Sequence, residues 1–395
     1  MRAVLEIVAT AFLAVSPPIH AGGTTAPEAP RVADAASPFE RAIGAGREVM
    51  KELMARTPAP GMAVAVATGE RVVWEEGFGV ADLETRAAMT PATRLGLGSI
   101  SKSLTMALAG RLVDEGAFDL DRPIESWLPG FPHAGKGITP RLIAGHLSGL
   151  DDAYATAHWT GTTHFETTSA ALAEIFKEKL LSEPGTSHFY ATGSYTLIAG
   201  AIEKAAGLPF LAAMQRKVLD PLRLESVVPN DPTRPVPGTT VFYLAGDDGK
   251  PLRAPAFDPS HKWAGAGYLS TAGDLARFGA AMMKPGFLTE ATLRQIFTPL
   301  KTRAGVDTGF GLGWRIGQRS GPGMTWIIGP DDSPRRIVHQ PGGGPGISSW
   351  LVLDLDAQVA VGILSNMTGA PAGGRHLDAI LEAFTRASTQ ARSAP

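Results

Sequence analysis

The chain of 395 residues contains no cysteine. Its absence excludes disulfide bonds, thiol nucleophiles, iron–sulfur clusters and zinc sites with cysteine ligands. Charged residues make up only 19 % of the chain, and 36 basic residues nearly balance 38 acidic ones, which leaves a net charge of −2. Such a balance argues against nucleic acid or an anionic membrane surface as a partner. No apolar run reaches the roughly 18 residues that a membrane-spanning helix needs.

The N-terminus carries a targeting pattern. Arg2 precedes a mostly apolar stretch at positions 3–15, and Ala21 provides a small residue for cleavage. This pattern is typical of a secretory signal peptide over residues 1–21, so we expect export to the periplasm or the medium. Residues 22–37 are rich in Pro, Ala and Gly and are predicted to form a flexible linker.

The spacing of apolar residues changes twice along the chain. A hairpin is predicted around Thr68-Gly69-Glu70 near the start, and a second one at 354–357 near the end. Between them the spacing is helical, for example at 100–115, where Gly116 ends the helix, and at 138–150. Strands therefore lie at both ends of the sequence and helices dominate its middle.

This order of elements predicts the architecture. We expect an α/β protein of the α+β type, with an antiparallel sheet built from both chain ends, flanked by helices, and a mainly helical insertion. The predicted sheet domain comprises residues 38–98 and 300–390. The predicted helical domain comprises residues 99–299.

Several common site motifs are missing. The chain has no G-x-S-x-G, so the usual nucleophile elbow is excluded, and no two histidines have H-x-x-x-H spacing. Three histidines lie near two acidic residues in sequence: His158, His164, His188, Asp151 and Asp152. We interpret them as solvated loop residues rather than metal ligands. No metal and no cofactor are therefore expected.

One motif for nucleophilic catalysis is present, the S-x-x-K stretch Ser99-Ile100-Ser101-Lys102. A spacing of three places Ser99 and Lys102 side by side on one face of a helix, where an uncharged amine can accept the serine proton. The helix dipole disfavours a cation at this end, which favours the uncharged amine. The Ser99 N–H can point toward a developing oxyanion. The alternative is an ordinary N-cap formed by Ser99.

Further stretches give this motif a family context. In chain order they are PGMAV at 60–64, LGLGSISKSLT around the S-x-x-K, ITPRLIAGHLSGL at 138–150 and HKWAGAGYLSTAGDLARF at 261–278. Together they resemble the serine β-lactamase and penicillin-binding superfamily of the class C type, and in particular its mitochondrial serine β-lactamase-like members and family VIII-type esterases. The resemblance runs from about residue 40 to 390 and implies a β-lactamase/transpeptidase-like fold.

The resemblance also implies a second site motif, Tyr-x-Asn, at FYATG. Tyr190 takes the position of the family's tyrosine, which relays a proton to and from the leaving group. Thr192 stands where the family has an asparagine that binds substrate amides. A threonine hydroxyl is shorter and offers one donor, which argues against β-lactam recognition. Mitochondrial-type members also carry threonine here.

The family's third motif, Lys-Thr-Gly or His-x-Gly, corresponds to the stretch HQPGGGPG, which has one residue too many. Alignment forward from His339 places Pro341 where glycine is expected. Alignment back from Gly346 places Gln340 at the basic position. The sequence leaves the two alignments open.

The oxyanion donors and substrate contacts follow from this motif. The proline has no N–H, so the second donor beside Ser99 is Gly342 or Gly343, and we favour Gly343. The resemblance implies that Thr192, His339 and Gly342 bind substrate. His339 has an alternative interpretation as a surface residue at the end of a strand.

The resemblance implies a metal-independent serine hydrolase in which Ser99, activated by Lys102 and Tyr190, forms an acyl-enzyme with an ester or amide. A carboxylesterase or peptidase is favoured over a class C-type β-lactamase. The third hypothesis is a catalytically weak penicillin-recognising or scaffold protein, because mitochondrial-type members assemble into filaments. The expected partner is a small-molecule or peptide substrate, and a homo-oligomer is left open.

Overall fold

The computed structural model describes residues 37–317, 319–321, 324–326, 335–370 and 374–393. The predicted signal peptide and all but the last residue of the predicted linker lie outside the described residues. Within the described residues no single helix is long and apolar enough to cross a bilayer. Two consecutive helices, Tyr195–Ala206 and Phe210–Leu222, are long and apolar enough when they are taken together, but the chain bends by 70° between them.

Helices cover the first and last described segments and most of the middle. They are α1 Pro38–Ala55, α2 Ser101–Asp114, α3 Pro140–Ala144, α4 Ala153–Ala157, α5 Thr168–Ile175, α6 Tyr195–Ala206, α7 Phe210–Met214, α8 Asp220–Leu222, α9 Trp263–Ala266, α10 Ala272–Met282, α11 Glu290–Phe297 and α12 Arg375–Ser393. Short 3₁₀ helices at Gly98–Ile100 and Ser260–Lys262 precede α2 and α9.

Strands lie mainly before α2 and after α11. They are β1 Gly61–Thr68, β2 Arg71–Gly79, β3 Leu95–Gly96, β4 Val228–Pro229, β5 Tyr243–Ala245, β6 Pro251–Arg253, β7 Tyr268–Ser270, β8 Arg315–Ile316, β9 Arg319–Gly321, β10 Met324–Trp326, β11 Ile337–Gly344, β12 Ile347–Asp354 and β13 Val359–Ser365.

Six strands form the main sheet in the order β2-β1-β13-β12-β11-β8. All its pairs are antiparallel, and β1 from the beginning of the chain pairs with β13 from its end. Both predicted hairpins are present, as β1–β2 and β12–β13. The predicted antiparallel sheet built from the two chain ends is therefore confirmed, while the division of the chain into two domains stays a prediction.

Alternation along the strands gives the sheet two apolar faces. Val64 points toward a core shared with α1 and α12, whereas its neighbour Ala65 points toward the larger core of the middle helices. Because α1 and α12 cover one face and α10 packs against the other, the strands β1, β12 and β13 are buried on both sides. β11 borders the cleft described below.

One predicted helix is wrong over most of its length. The segment 138–150 forms only α3, which Thr139 caps and which ends at Ala144. The chain then enters the left-handed backbone region at His146 (φ 61°) and at Gly149 (φ 76°), which breaks the helical pattern. The resulting turn brings His146 against the site.

Candidate active site

The S-x-x-K motif sits where a 3₁₀ turn becomes a helix. Ser99 is the middle residue of the turn Gly98–Ile100, and Lys102 is the second residue of α2. Ser99 is half-buried and lines a cleft, whereas Lys102 is fully buried beneath it. Lys102 Nζ lies 3.0 Å from Ser99 Oγ, so the local spacing produces the contact that the sequence predicts.

Lys102 Nζ has two further polar neighbours. It lies 2.9 Å from the carbonyl oxygen of Gly265 in α9 and 3.1 Å from Thr192 Oγ1. An uncharged amine has two N–H groups and one lone pair. Donation to the Gly265 carbonyl and to Thr192 leaves the lone pair for the Ser99 proton. Three fixed neighbours therefore match the hydrogen-bonding capacity of a general base.

Tyr190, which is predicted to relay protons, also lies beside Lys102. Lys102 Nζ lies 4.8 Å from the centroid of its ring, and its hydroxyl accepts a hydrogen bond of 3.3 Å from Gln340 Nε2. Burial alone would raise the pKa of the phenol. When Lys102 is protonated, its positive charge, the charge of Arg315 and hydrogen bonds with Ser99 and Lys102 outweigh burial and lower the pKa of Tyr190 below its ordinary value. A phenol in this environment gives up its proton more readily.

His146 supports Tyr190 from behind. Their ring centroids are 4.1 Å apart, and the Ala191 N–H donates to His146 Nδ1 at 3.3 Å. Burial holds the pKa of His146 well below its ordinary value, so the ring stays neutral and Nδ1 can accept. Tyr195, by contrast, is a core residue whose hydroxyl donates to the Ala144 carbonyl at 2.8 Å.

Two glycines let β11 approach the Ser99 turn closely. A Cβ on Gly98, whose φ is 51°, would lie 2.6 Å from the backbone nitrogen of Gly343. A Cβ on Gly342 would lie 1.9 Å from the carbonyl oxygen of Leu97. Neither position can hold a side chain without moving backbone. The backbone of β11 therefore lies directly against the backbone of the turn that carries Ser99.

The backbone direction along β11 decides which of its N–H groups point toward the Ser99 turn. The Ile337 carbonyl accepts from Gly317 N–H on the β8 side, so every second residue after it directs its backbone groups the same way. Pro341 has this direction but no N–H. Gly343 is the next residue to point there, past the last β8 pair at His339. Gly343 is exposed and faces the Ser99 turn.

The same alternation corrects two predicted substrate contacts. His339 points to the sheet face away from Ser99, is 2 % exposed and stacks on Trp350 with centroids 5.9 Å apart. Burial and the charge of Arg315 lower the pKa of His339 to about 3, so it is neutral. Gly342 is buried against Leu97 rather than open to the cleft. The structure brings neither residue to the place where substrate would bind.

Gln340 occupies the position that His339 was expected to take. Its Nε2 lies 3.3 Å from Tyr190 Oη and 3.4 Å from the Ser99 carbonyl oxygen. The structure thus agrees with the alignment that counts back from Gly346. A neutral amide stands where the family motif has a basic residue.

Sequence reasoning missed three other residues at the site. Asp152 orients Thr192 by accepting the N–H groups of Thr192 at 2.9 Å and Gly193 at 2.6 Å. Arg315 lies with its guanidinium carbon 5.8 Å from the Tyr190 ring centroid. Lys262 lines the cleft, a cavity of about 270 Å³. Only Lys262 had a signal, since it lies in the HKWAG stretch that marks the family.

The three histidines considered as loop residues do not converge. His164 Nδ1 lies 2.7 Å from Asp258 Oδ2, and His158 stacks on Tyr154 with centroids 4.0 Å apart. His188 packs on Phe310 instead. The expectation that the protein uses no metal stays a prediction.

Comparison with known proteins assigns the family. The family model described as Beta-lactamase matches residues 47–384. The chain belongs to the Beta-lactamase family. It is 27 % identical to the serine beta-lactamase-like protein LACTB, mitochondrial, of Bos taurus, over 87 % of this chain and 80 % of that protein. It is 25 % identical to penicillin-binding protein 4* of Bacillus subtilis (strain 168), over 77 % and 67 %.

Two solved structures share the fold of this chain. The octameric penicillin-binding protein homologue from Pyrococcus abyssi has a TM-score of 0.71 at 22 % identity, over 87 % of this chain and 77 % of that one. EstCE1, a hydrolase with promiscuous acyltransferase activity, has a TM-score of 0.71 at 20 % identity, over 88 % and 99 %. A D-aminopeptidase of Gluconobacter oxydans (strain 621H) is 30 % identical over 48 % of this chain and 36 % of its own. The chain is an enzyme of the β-lactamase-like serine hydrolase type.

Proposed function

We propose that this family member forms an acyl-enzyme on Ser99 and hydrolyses ester or amide bonds. The observation that carries the proposal is the placement of Lys102 Nζ, 3.0 Å from Ser99 Oγ and fixed by Gly265 and Thr192 on its other sides. A buried amine with three hydrogen-bonding neighbours, one of them the Ser99 hydroxyl, is placed for proton transfer.

The proposed reaction has two halves. Ser99 Oγ attacks the substrate carbonyl carbon while its proton passes to the coupled pair Lys102 and Tyr190, and the oxyanion is held by the N–H groups of Ser99 and Gly343. The bond to the leaving group breaks as the pair protonates that group. Water then attacks the ester on Ser99, and the serine recovers its proton.

Within this chemistry we favour a carboxylesterase or peptidase over a β-lactamase. Thr192 offers a single hydroxyl, already 3.1 Å from Lys102 Nζ, where an asparagine would offer a longer amide. Gln340 brings no positive charge to the strand position that usually attracts a substrate carboxylate. The name of one relative, the D-aminopeptidase, supports the same ordering.

Covalent trapping tests the nucleophile. A fluorophosphonate should add its mass to the peptide that contains Ser99, and Ser99→Ala should lose both labelling and turnover of a p-nitrophenyl ester, by about 10³-fold or more. Ser101→Ala is the matched control, because Ser101 Oγ instead contacts the Gly98 carbonyl at 2.7 Å. Undiminished turnover in Ser99→Ala would refute the proposal.

Parallel substrates test the ordering. Turnover of a p-nitrophenyl ester, a D-amino-acid amide and a chromogenic cephalosporin should follow the order ester or amide above cephalosporin. Fast cephalosporin hydrolysis would favour a class C-type β-lactamase instead. Acylation without turnover would favour a binding or scaffold protein.

Two further expectations from the sequence enter as proposals. We propose that residues 1–21 direct export, on the pattern of Arg2 and the apolar stretch that follows it. We also propose a homo-oligomer, because a relative with the same fold is described as octameric. Mass photometry of the chain and N-terminal sequencing of the secreted product would check them.

A further inference from the structure

The cleft beside Ser99 contains a second buried lysine that the proposed reaction does not use. Lys262 ends the short 3₁₀ helix Ser260–Lys262 and is 5 % exposed. It lines the same cavity as Ser99, Asp152 and Trp159. A lysine is rarely buried to this extent without a partner, so its position calls for a physical reason.

The ammonium of Lys262 has no hydrogen-bonding partner within the protein as far as the structure describes it. Nζ lies 5.4 Å from the centroid of the Trp159 indole, which stabilises the charge through a cation–π contact. No hydrogen bond or ion pair to this ammonium is found among the described residues. Its N–H groups are therefore available to a molecule in the cavity.

The charges around Lys262 favour an anion over a cation. Asp152 attracts Lys262, but both Asp152 oxygens already accept backbone N–H groups, from Thr192 and Gly193. Burial lowers the pKa of Lys262 to about 8, so the amine is still mostly protonated at neutral pH.

The position of the cavity assigns it to one part of the substrate. It is lined by Ser99, Thr192 and Lys262, while Tyr190 and Gln340 are not among the described residues that line it. A leaving group departs toward the phenol that protonates it. The part that remains esterified to Ser99 therefore occupies the cavity on the Lys262 side.

We propose that Lys262 binds a carboxylate on the acyl part of the substrate, so that short acyl groups of the dicarboxylic-acid type are preferred over neutral ones. The cavity of about 270 Å³ suits a short chain, with the Trp159 indole as its apolar wall. This inference rests on the proposed acyl-enzyme at Ser99, and it makes Lys262 a specificity-determining residue.

Three aryl esters with one alcohol, 4-methylumbelliferone, test the inference on the wild-type protein. Their acyl groups are pentanoate, glutarate with a terminal carboxylate, and 5-(trimethylammonio)pentanoate with a terminal cation. After subtraction of hydrolysis without enzyme, kcat/KM should be about tenfold or more higher for glutarate than for pentanoate, and lowest for the cation. Equal values, or the highest value for the cation, would overturn the inference without any variant.

Variants then locate the preference. Lys262→Met should lower the glutarate-to-pentanoate ratio of kcat/KM about tenfold or more, and Lys262→Arg, which keeps the charge, should retain part of it. Lys250→Met is the matched control and should leave the ratio unchanged, because Lys250 is exposed and paired with Asp248. An unchanged ratio in a folded Lys262→Met would overturn the assignment.

The failure of this inference is distinguishable from the failure of the proposed function. Hydrolysis of all three esters that survives Ser99→Ala would refute the acyl-enzyme itself. Hydrolysis that depends on Ser99 but shows no charge preference would leave the acyl-enzyme standing and refute only the role of Lys262.

Discussion

Two buried lysines lie at the same cleft, Lys262 in its wall and Lys102 beneath Ser99, and their surroundings differ in kind. Lys102 has Ser99, Thr192 and the Gly265 carbonyl within 3.1 Å of its amine. Lys262 has an indole face and a more distant carboxylate, with no hydrogen bond to its amine among the described residues. The first amine is saturated by the protein, whereas the second is open to a ligand.

This difference separates chemistry from selectivity. An amine whose neighbours include the nucleophile and fixed acceptors is positioned to move a proton at one atom. An amine in a cavity wall whose N–H groups have no partner in the protein can bind a substrate group. It has no hydrogen bond to the nucleophile, so it is not placed to move the proton. Substitution of the two lysines should therefore change different kinetic quantities.

The largest effect is expected for Lys102→Met. It removes the proposed base and leaves the Thr192 hydroxyl and the Gly265 carbonyl without their shared partner, so kcat should fall by about 10³-fold or more on every ester. Steady-state kinetics on the pentanoate and glutarate esters would measure it. Because the loss arises at the reacting atom, the ratio of kcat/KM between the two esters should hardly move.

If Lys102→Met lowered kcat on only one of the two esters, the two lysines would not have separate roles in chemistry and selectivity. It would mean that Lys102 also recognises the acyl group. Circular dichroism and a fluorophosphonate labelling rate for the same variant separate lost chemistry from lost folding, since a folded variant with slow labelling has lost only the base.

The part of the site that depends on local geometry was predictable from the sequence. Ser99 and Lys102 are three residues apart, so a helix alone brings them together, and the hairpin pairing of β12 and β13 follows from an equally local turn. Tyr190 and Thr192 were assigned through the family resemblance, because nothing in their own spacing predicts that they meet Lys102. The structure places Thr192 at that amine.

The parts that failed depend on register and on distant segments. A shift of one residue in β11 decides whether His339 or Gln340 faces Ser99. Because the motif contains one extra residue, the sequence alone does not show which register is adopted. Asp152, Arg315 and Lys262 come from three separate segments of the chain, so only tertiary packing shows that they share a site. Likewise, the helical pattern of 138–150 does not show that His146 adopts a positive φ.

A smaller effect is expected for Thr192→Val, which keeps the volume but removes one of the three neighbours of the Lys102 amine. The amine loses an acceptor at 3.1 Å and becomes less well oriented toward Ser99. We expect kcat to fall by about 10- to 100-fold, with Thr192→Ser retaining most activity because it keeps the hydroxyl. A loss in Thr192→Ser with no loss in Thr192→Val would show that the methyl group, not the hydroxyl, matters.

The smallest effect is on stability, and it has a definite sign with pH. The pKa of Lys262 is lowered by burial to about 8 in the folded protein, below its ordinary value of 10.5. Between these values the unfolded chain binds more protons, so this group makes the free energy of unfolding rise with pH. Below about pH 8 Lys262 is charged in the folded protein, and the full free-energy cost of burying that charge lowers stability. Lys262→Met removes this cost.

Lys262→Met should therefore raise the free energy of unfolding relative to wild type, and this increase should be larger at pH 7 than at pH 9.5 by about 2 kcal/mol. Urea unfolding of both proteins at the two pH values measures this difference, and effects of other titrating groups cancel between them. Lys250→Met should show no such dependence, since its amine is exposed. A reversed sign would mean that Lys262 gains a strong partner in the folded protein, which would contradict an amine kept open for a ligand.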